Sequence, residues 1–162
     1  MTIVSGTDFS GNATQAALAA AAIAKRLSLP LKLVHVIDEL GAELAIANDQ
    51  GGIYDPLRQR IRDQAMEIGT RFGIDVEPIV EPGFAYEKLI EIAVAHHARL
   101  IVVSSLGDQK QHRWLLGSVA ERVAQTSPIP VVCFITRRAT WPVCLAADRR
   151  RTRTSFRRSS AC

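Results

Sequence analysis

The spacing with most chemical content in this chain is Ser104-x2-Gly107-x9-Gly117-Ser118. It leads from an apolar run, Leu100 to Ser104, through a polar loop carrying Lys110, His112 and Arg113, into an amphipathic stretch. Gly107 has no Cβ and tolerates positive φ, so the backbone can approach a ligand closely there. Gly117, Ser118 and Val119 would open a helix, where backbone N–H groups lacking helical partners and the helix dipole favour an anion. Ser118 adds a hydroxyl, either as a further donor to that anion or as a plain helix N-cap. The chemistry this pattern offers is anion binding, phosphate above all.

Other reactive side chains point to less. General acid–base catalysis needs a group held near the reacting atom with a suitable pKa, and no Ser or Cys is paired with a base. His35 interrupts an apolar run and reads as structural. His96 and His97 end a helix, where a cation suits the carbonyl terminus. His112 is the one histidine in the glycine loop, and no Cys, carboxylate or second His stands at metal-ligand spacing from it. Cys133 lies inside an apolar run and reads as core.

These residues need elements to position them, and the chain alternates strand and helix patterns. Ile3 to Ser5 is β-branched, and Gly6 to Asn12 supplies turn residues. Ala16, Ala20, Ile23, Ala24 and Leu27 are spaced for one helical face, closed by Pro30. Leu31 to Ile37 is a second strand. Asp38 to Tyr54 has no clean period, although Glu39 to Ala47 suits a helical turn or two, and its length suggests a functional loop or lid. Asp55 and Pro56 form a helix start, followed by the stripe Leu57, Ile61, Ala65, Ile68 and Phe72, with Gly73 as the stop.

Ile74 to Val80 is a third strand; Ala85, Leu89, Ile92, Ala93 and His96 mark the face of a third helix. Leu100 to Ser104 is a fourth strand. A fourth helix begins near Gly117 with Val119, Val123 and Ala124 inward, and Val131 to Ile135 is a fifth strand. This β-α-β-α-β-α-β-α-β order calls for a doubly wound α/β fold with a five-stranded parallel sheet and helices on both faces. Ligands in such sheets sit beyond the carboxyl ends of the strands where the strand order reverses, which directs attention to the residues after the first and fourth strands.

The chain has 162 residues, 48% of them hydrophobic and 22% charged, and a formal charge of +4. This composition predicts one globular domain, excludes a disordered chain, and includes no apolar run approaching the roughly 18 residues of a membrane span. No charged leader precedes the first strand, so no secretory signal is expected. The basicity is unevenly placed. Residues 1–136 carry 12 Lys/Arg against 15 Asp/Glu, a balance of −3, while residues 137–162 carry 8 Arg against one Asp, a balance of +7. The body is mildly acidic and the expected domain, 1–136, is followed by a basic, unpacked tail at 137–162. Nucleic acid enters as a partner only through that tail, by phosphate contacts. Three cysteines in no metal-ligand spacing, Cys133, Cys144 and Cys162, fit a reducing, cytoplasmic location.

The run Gly117-Ser118-Val119-Ala120-Glu121-Arg122-Val123, closed by Pro128-Ile129-Pro130-Val131-Val132, resembles the universal stress protein family. So do Thr7-Asp8-Phe9-Ser10 after the first strand and His35-Val36-Ile37-Asp38 at the end of the second, in matching order over roughly residues 1 to 136. The resemblance implies strand order 3-2-1-4-5 and an adenine nucleotide, ATP or AMP, bound at the switch point, with Mg2+ only if ATP is the ligand. It implies that Asp8 meets the ribose, Val36 and Val103 line the adenine and sugar pocket, and Gly107, Gly117, Ser118 and Val119 hold the phosphates. Asp8 has a competing structural reading as a cap for the helix starting near Ser10.

Two departures stand out. Ser104 occupies the first glycine position of the family's Gly-x2-Gly-x9-Gly-Ser/Thr motif, and Asp108, Gln109 and Lys110 replace the usual basic residue, small residue and glycine. The family pairs its fifth strand across a two-fold axis, which implies a homodimer through Val131 to Ile135, an apolar edge that needs covering. The function expected is stress response or signalling through nucleotide binding, with at most slow ATP hydrolysis. The alternative is a stress-response homodimer of the same fold that binds no nucleotide and acts through protein partners. Ser5-Gly6-Thr7-Asp8-Phe9-Ser10 is also superficially similar to the Ser-Gly-Gly-x-Asp-Ser loop of ATP pyrophosphatases, but the second Gly is missing, the Asp is shifted by one, and residues 107–119 go unexplained.

Overall fold

A computed structural model describes residues 1–37, 54–105 and 117–135, together with the backbone of Cys144–Ala147. The elements are β1 (Thr2–Gly6), α1 (Gly11–Leu27), β2 (Leu31–Ile37), α2 (Asp55–Phe72), β3 (Val76–Pro82), α3 (Ala85–Ala95), β4 (Ala98–Ser104), α4 (Ser118–Thr126), β5 (Val131–Phe134) and β6 (Cys144–Ala147). The sheet runs β3-β2-β1-β4-β5-β6. Its first five strands are parallel, in the order expected for a doubly wound sheet. The possible helical turns of Glu39 to Ala47 lie outside the described residues.

Each face of the sheet is closed by two helices. On one, α1 and α2 pack over Ile3, Leu31, Leu33 and Val102. On the other, Leu89, Ile92 and Ala93 of α3 and Ala120 and Val123 of α4 cover Val4, Val34, Ile101 and Val103. The alternation of Ile3 and Val4 between the two layers follows from the two-residue period of a strand.

The first helix starts at Ser10, whose Oγ accepts from the Ala13 N–H at 3.1 Å. Its buried face is entirely alanine: Ala13, Ala16, Ala17, Ala20, Ala21 and Ala24. Methyl-sized side chains let the helix lie close to the sheet. This turns the face away from the expected stripe, so Leu27 at its end is 46% exposed and Ile23 sits at the margin of the core.

Two helix boundaries differ from expectation. Tyr54, not Asp55, is the N-cap of α2 and no side chain caps it; Asp55 is the first helical residue and pairs with Arg58 at 3.9 Å. Helix α3 ends at Ala95, so His96 is an exposed C-cap rather than an inward residue. In α4 Val119, Val123 and Ala124 pack on the core as expected, and Ala120 is a further buried position. Gly73 stops α2 as expected, in the left-handed region at φ 63° that glycine adopts without a Cβ clash.

The region beyond Arg137, expected to be unpacked, contributes β6. This strand lies antiparallel on β5, with Val131 opposite Ala147 and Phe134 opposite Cys144. Val131 to Ile135 was expected to form the sheet edge, and that expectation needs correction: the outer side of β5 is already paired within the same chain. The physical reason is that β5 presents a row of unpaired N–H and C=O groups, and any nearby extended segment can satisfy them.

Candidate functional site

The strands that meet at the reversal of order are β1 and β4, and their ends are tied in place by backbone hydrogen bonds. Thr7 N–H donates to Val34 O at 2.8 Å, and Ser105 N–H donates to Phe134 O at 2.8 Å. Gly117 N–H then donates back to Ser105 O at 2.6 Å, which brings the start of α4 against the end of β4. Three helices begin beside these strand ends, as parallel βα units require.

Between them lies a cleft of about 380 Å³, within the range of small-molecule sites. Asp8, Val36, Val103, Ser104, Gly117, Ser118 and Val119 all line it. Of the residues singled out from sequence, Gly107 lies outside the described residues, as do Asp108, Lys110, His112 and Arg113. The lining is chemically mixed: Val34, Val36, Leu89 and Val103 are apolar, while Asp8, Ser104 and Ser118 are polar.

Asp8 is exposed and does not cap α1, because Ser10 does that. Instead its Oδ1 accepts from the Ser10 N–H at 2.9 Å, a local turn that leaves the carboxylate at the cleft. Ser118 is not the N-cap of α4 either. Gly117 takes that position, with φ −62° and ψ 151°, and no side chain caps the helix. The first turn of α4 therefore faces the cleft without a competing side-chain acceptor, the arrangement that suits an anion.

Several lining residues carried no strong signal in the sequence. Gly6 ends β1, Thr7 follows it, Ala13 lies in the first turn of α1, and Ala85 opens α3. Their chemistry is bland, and only the rule that helix starts gather at the strand ends would have located them. His35, read as structural, lines the cleft as well; its Nδ1 lies 2.8 Å from Thr7 O and donates to it. Cys133 is a free thiol buried beneath α4, and burial pushes its pKa up to about 11. It stays protonated at neutral pH and is no nucleophile. Among the described residues no group of three or more His, Cys, Asp or Glu could hold a metal ion, and no helix is long and apolar enough to cross a membrane.

The model of the universal stress protein family matches residues 1–134. A universal stress protein of Bacillus subtilis is 27% identical, with 80% of this chain and 93% of that one covered. A universal stress protein solved in complex with cAMP superposes with a TM-score of 0.64 at 26% identity, covering 86% of this chain and 98% of that one. The Archaeoglobus fulgidus universal stress protein in complex with dAMP also superposes with a TM-score of 0.64, covering 82% and 96%; at 20% identity it bears on the fold alone.

Proposed function

The chain belongs to the universal stress protein family, and from that premise we propose that its cleft binds an adenine nucleotide, ATP or AMP, in stress response or signalling rather than in robust catalysis. The observation that supports this most is convergence. Residues from four separate stretches, 8, 36, 103–104 and 117–119, line one cleft that offers both apolar and polar groups. In this reading Asp8 accepts hydrogen bonds from the ribose hydroxyls. Val36 and Val103 pack against base and sugar, and the N–H groups at the start of α4 with the Ser118 hydroxyl hold phosphate. Asp8 is the sole carboxylate lining the cleft among the described residues, so Mg2+ would enter with the phosphates of ATP rather than on a protein cage.

Ser104 favours a second reading. It lines the cleft where the family's motif has glycine, and its extra atoms narrow the approach to the phosphates. In that case the protein works through protein partners and binds no nucleotide. Denaturing freshly purified protein, assaying released nucleotide, and titrating ATP and AMP by calorimetry decides between them. Co-purified nucleotide or saturable heat supports the first reading; absence of both leaves the second.

The same proposal includes a cytoplasmic location, supported by the free Cys133 thiol, and a homodimer through β5. Because β6 occupies the outer side of β5, such a dimer needs β6 to leave it. A Leu145→Pro/Ala146→Pro double substitution tests this: successive N–H groups of a strand point to opposite edges, so one of the two prolines removes a ladder donor. The dimer fraction by light scattering should rise in the variant. The Arg-rich stretch 137–162 is proposed to contact nucleic acid through phosphates alone, in which case binding falls steeply with salt.

A further inference from the structure

The turn that carries Asp8 contains a conformational outlier. Phe9 has φ 61°, the left-handed region that a bulky residue rarely enters. Such a conformation persists only where the surroundings over-determine it. Here they do so from two elements at once. The Phe9 ring lies 4.5 Å, centroid to centroid, from the His35 ring on β2, and the Arg60 Cζ of α2 stands 4.5 Å over the Phe9 ring centroid. Arg60 carries the cation that an aromatic face attracts.

Hydrogen bonds brace the same turn. Phe9 N–H donates to Thr7 Oγ1 at 3.1 Å, and Thr7 Oγ1 donates to Gln64 Oε1 at 3.3 Å. Gln64 Nε2 donates to Thr14 Oγ1 at 3.3 Å. Since Arg60 and Gln64 are four residues apart on α2, one face of that helix grips the turn twice. His35 adds the bond from its Nδ1 to Thr7 O. Thr14 Oγ1 in turn donates to Ser10 O at 3.0 Å, so the set converges on residues 7 to 10, where Asp8 brings a carboxylate to the cleft.

We propose that Phe9, clamped between Arg60 and His35, is a positioning residue that fixes the Asp8 carboxylate at the cleft, and that α2 is thereby coupled to ligand binding. The proposal rests on the nucleotide reading for the ligand, but not for the clamp. Position 9 would otherwise suit glycine; an aromatic residue there trades an easy backbone for a turn held in one state. Leaving out the ring should therefore loosen Asp8 without unfolding the domain.

Two measurements on the full-length chain test this with Phe9→Gly and Arg60→Met. Glycine accepts the positive φ, and Arg60 is exposed on α2, so both variants keep the fold. In the ligand-free protein, hydrogen exchange of the Ser10 amide, which bonds to Asp8, should accelerate at least about tenfold in each variant, the effect of losing roughly 1.4 kcal/mol of local closure. Unchanged exchange in both variants overturns the clamp whether or not any nucleotide binds. The second measurement compares AMP with 2′,3′-dideoxy-AMP, which lacks the hydroxyls assigned to Asp8. The wild-type preference for AMP should collapse toward unity in both variants while the affinity for the dideoxy ligand changes little. A preserved preference overturns the positioning role. If wild-type protein binds neither ligand, the nucleotide reading fails and the Ser10 exchange rate alone decides the clamp.

Discussion

Of the three helices that begin beside the cleft, α1 and α4 begin differently. At α1 the Ser10 hydroxyl accepts the Ala13 N–H, so a side chain satisfies a donor of the first turn, and the Asp8 carboxylate accepts the N–H of that capping residue. At α4 the N-cap is Gly117, which brings no side-chain acceptor. Capping is worth about 1 kcal/mol to a helix. A helix start that forgoes it leaves its first-turn donors open to an anion. On the nucleotide reading proposed above, the contrast gives α1 to stability and α4 to ligand.

The largest test of this contrast is Gly117→Val. At φ −62° and ψ 151° a β-branched residue fits the backbone without strain, so the fold should be kept, with melting lowered by no more than the ~1 kcal/mol of a poorer N-cap. The valine methyls would stand where the phosphates approach, and losing the charge-assisted bonds to them should weaken ATP or AMP binding on the order of 100-fold by calorimetry. Retained affinity would place the anion elsewhere.

Asp8→Asn is next. Its Oδ1 can still accept from Ser10 N–H, so the turn survives, but the charge that strengthens the bonds to the ribose is gone. Affinity should fall roughly tenfold, with the melting temperature unmoved.

A crossed pair sharpens the comparison most directly. Ser10→Ala should lower the melting temperature by about 2–4 °C, the effect of ~1 kcal/mol in a chain of this size, and leave affinity alone. Ser118→Ala should do the reverse, sparing the melt and weakening binding several-fold through one lost hydroxyl bond. If both substitutions act on the melt only, the division of labour is wrong.

The smallest effect lies beneath α4, at Cys133. Its thiol is held protonated up to about 11, above the ordinary 9.0, because burial disfavours the thiolate. The folded state therefore binds this proton more tightly than the unfolded state. Its contribution is complete below pH 9 and is lost as pH rises from about 9 to about 11. The urea midpoint should drop across that window, and Cys133→Val should flatten the drop. An unchanged profile in Gly117→Val would show that the substitution at the start of α4 leaves its packing on β5 intact.

The architecture was legible because apolar periods report it directly. The runs Leu31–Ile37 and Leu100–Ser104, and the stripe Ile61, Ala65, Ile68, encode which surfaces are covered. The candidate site was legible through a chemical exception, Gly117 followed by Ser118 at a helix start where a capping residue followed by an apolar one would be ordinary. What escaped was set by tertiary context. Asp55 and Ser118 both look like N-caps, yet the residue before each takes that place, a one-residue shift that propensity does not resolve. His96 obeys the helical period but falls just past the last turn. His35 reads as a core histidine because a single sequence does not disclose that its strand ends at a cleft. The segment Cys144–Ala147 has no turn signal or alternation of its own, and only the vacant side of β5 makes it a strand.

That last strand has a kinetic and statistical consequence. Only nine residues, 135–143, separate β5 from β6 in the chain. Joined so closely, β6 meets β5 at an effective concentration in the millimolar range, whereas a second copy of the protein arrives at its bulk concentration, typically a thousandfold lower. Dimerisation through β5 is then a competition against a tethered rival, and pairing between copies must outbid it by ~4 kcal/mol to prevail at micromolar protein. The tether length thus sets the threshold concentration at which the sheet would extend from one molecule into the next.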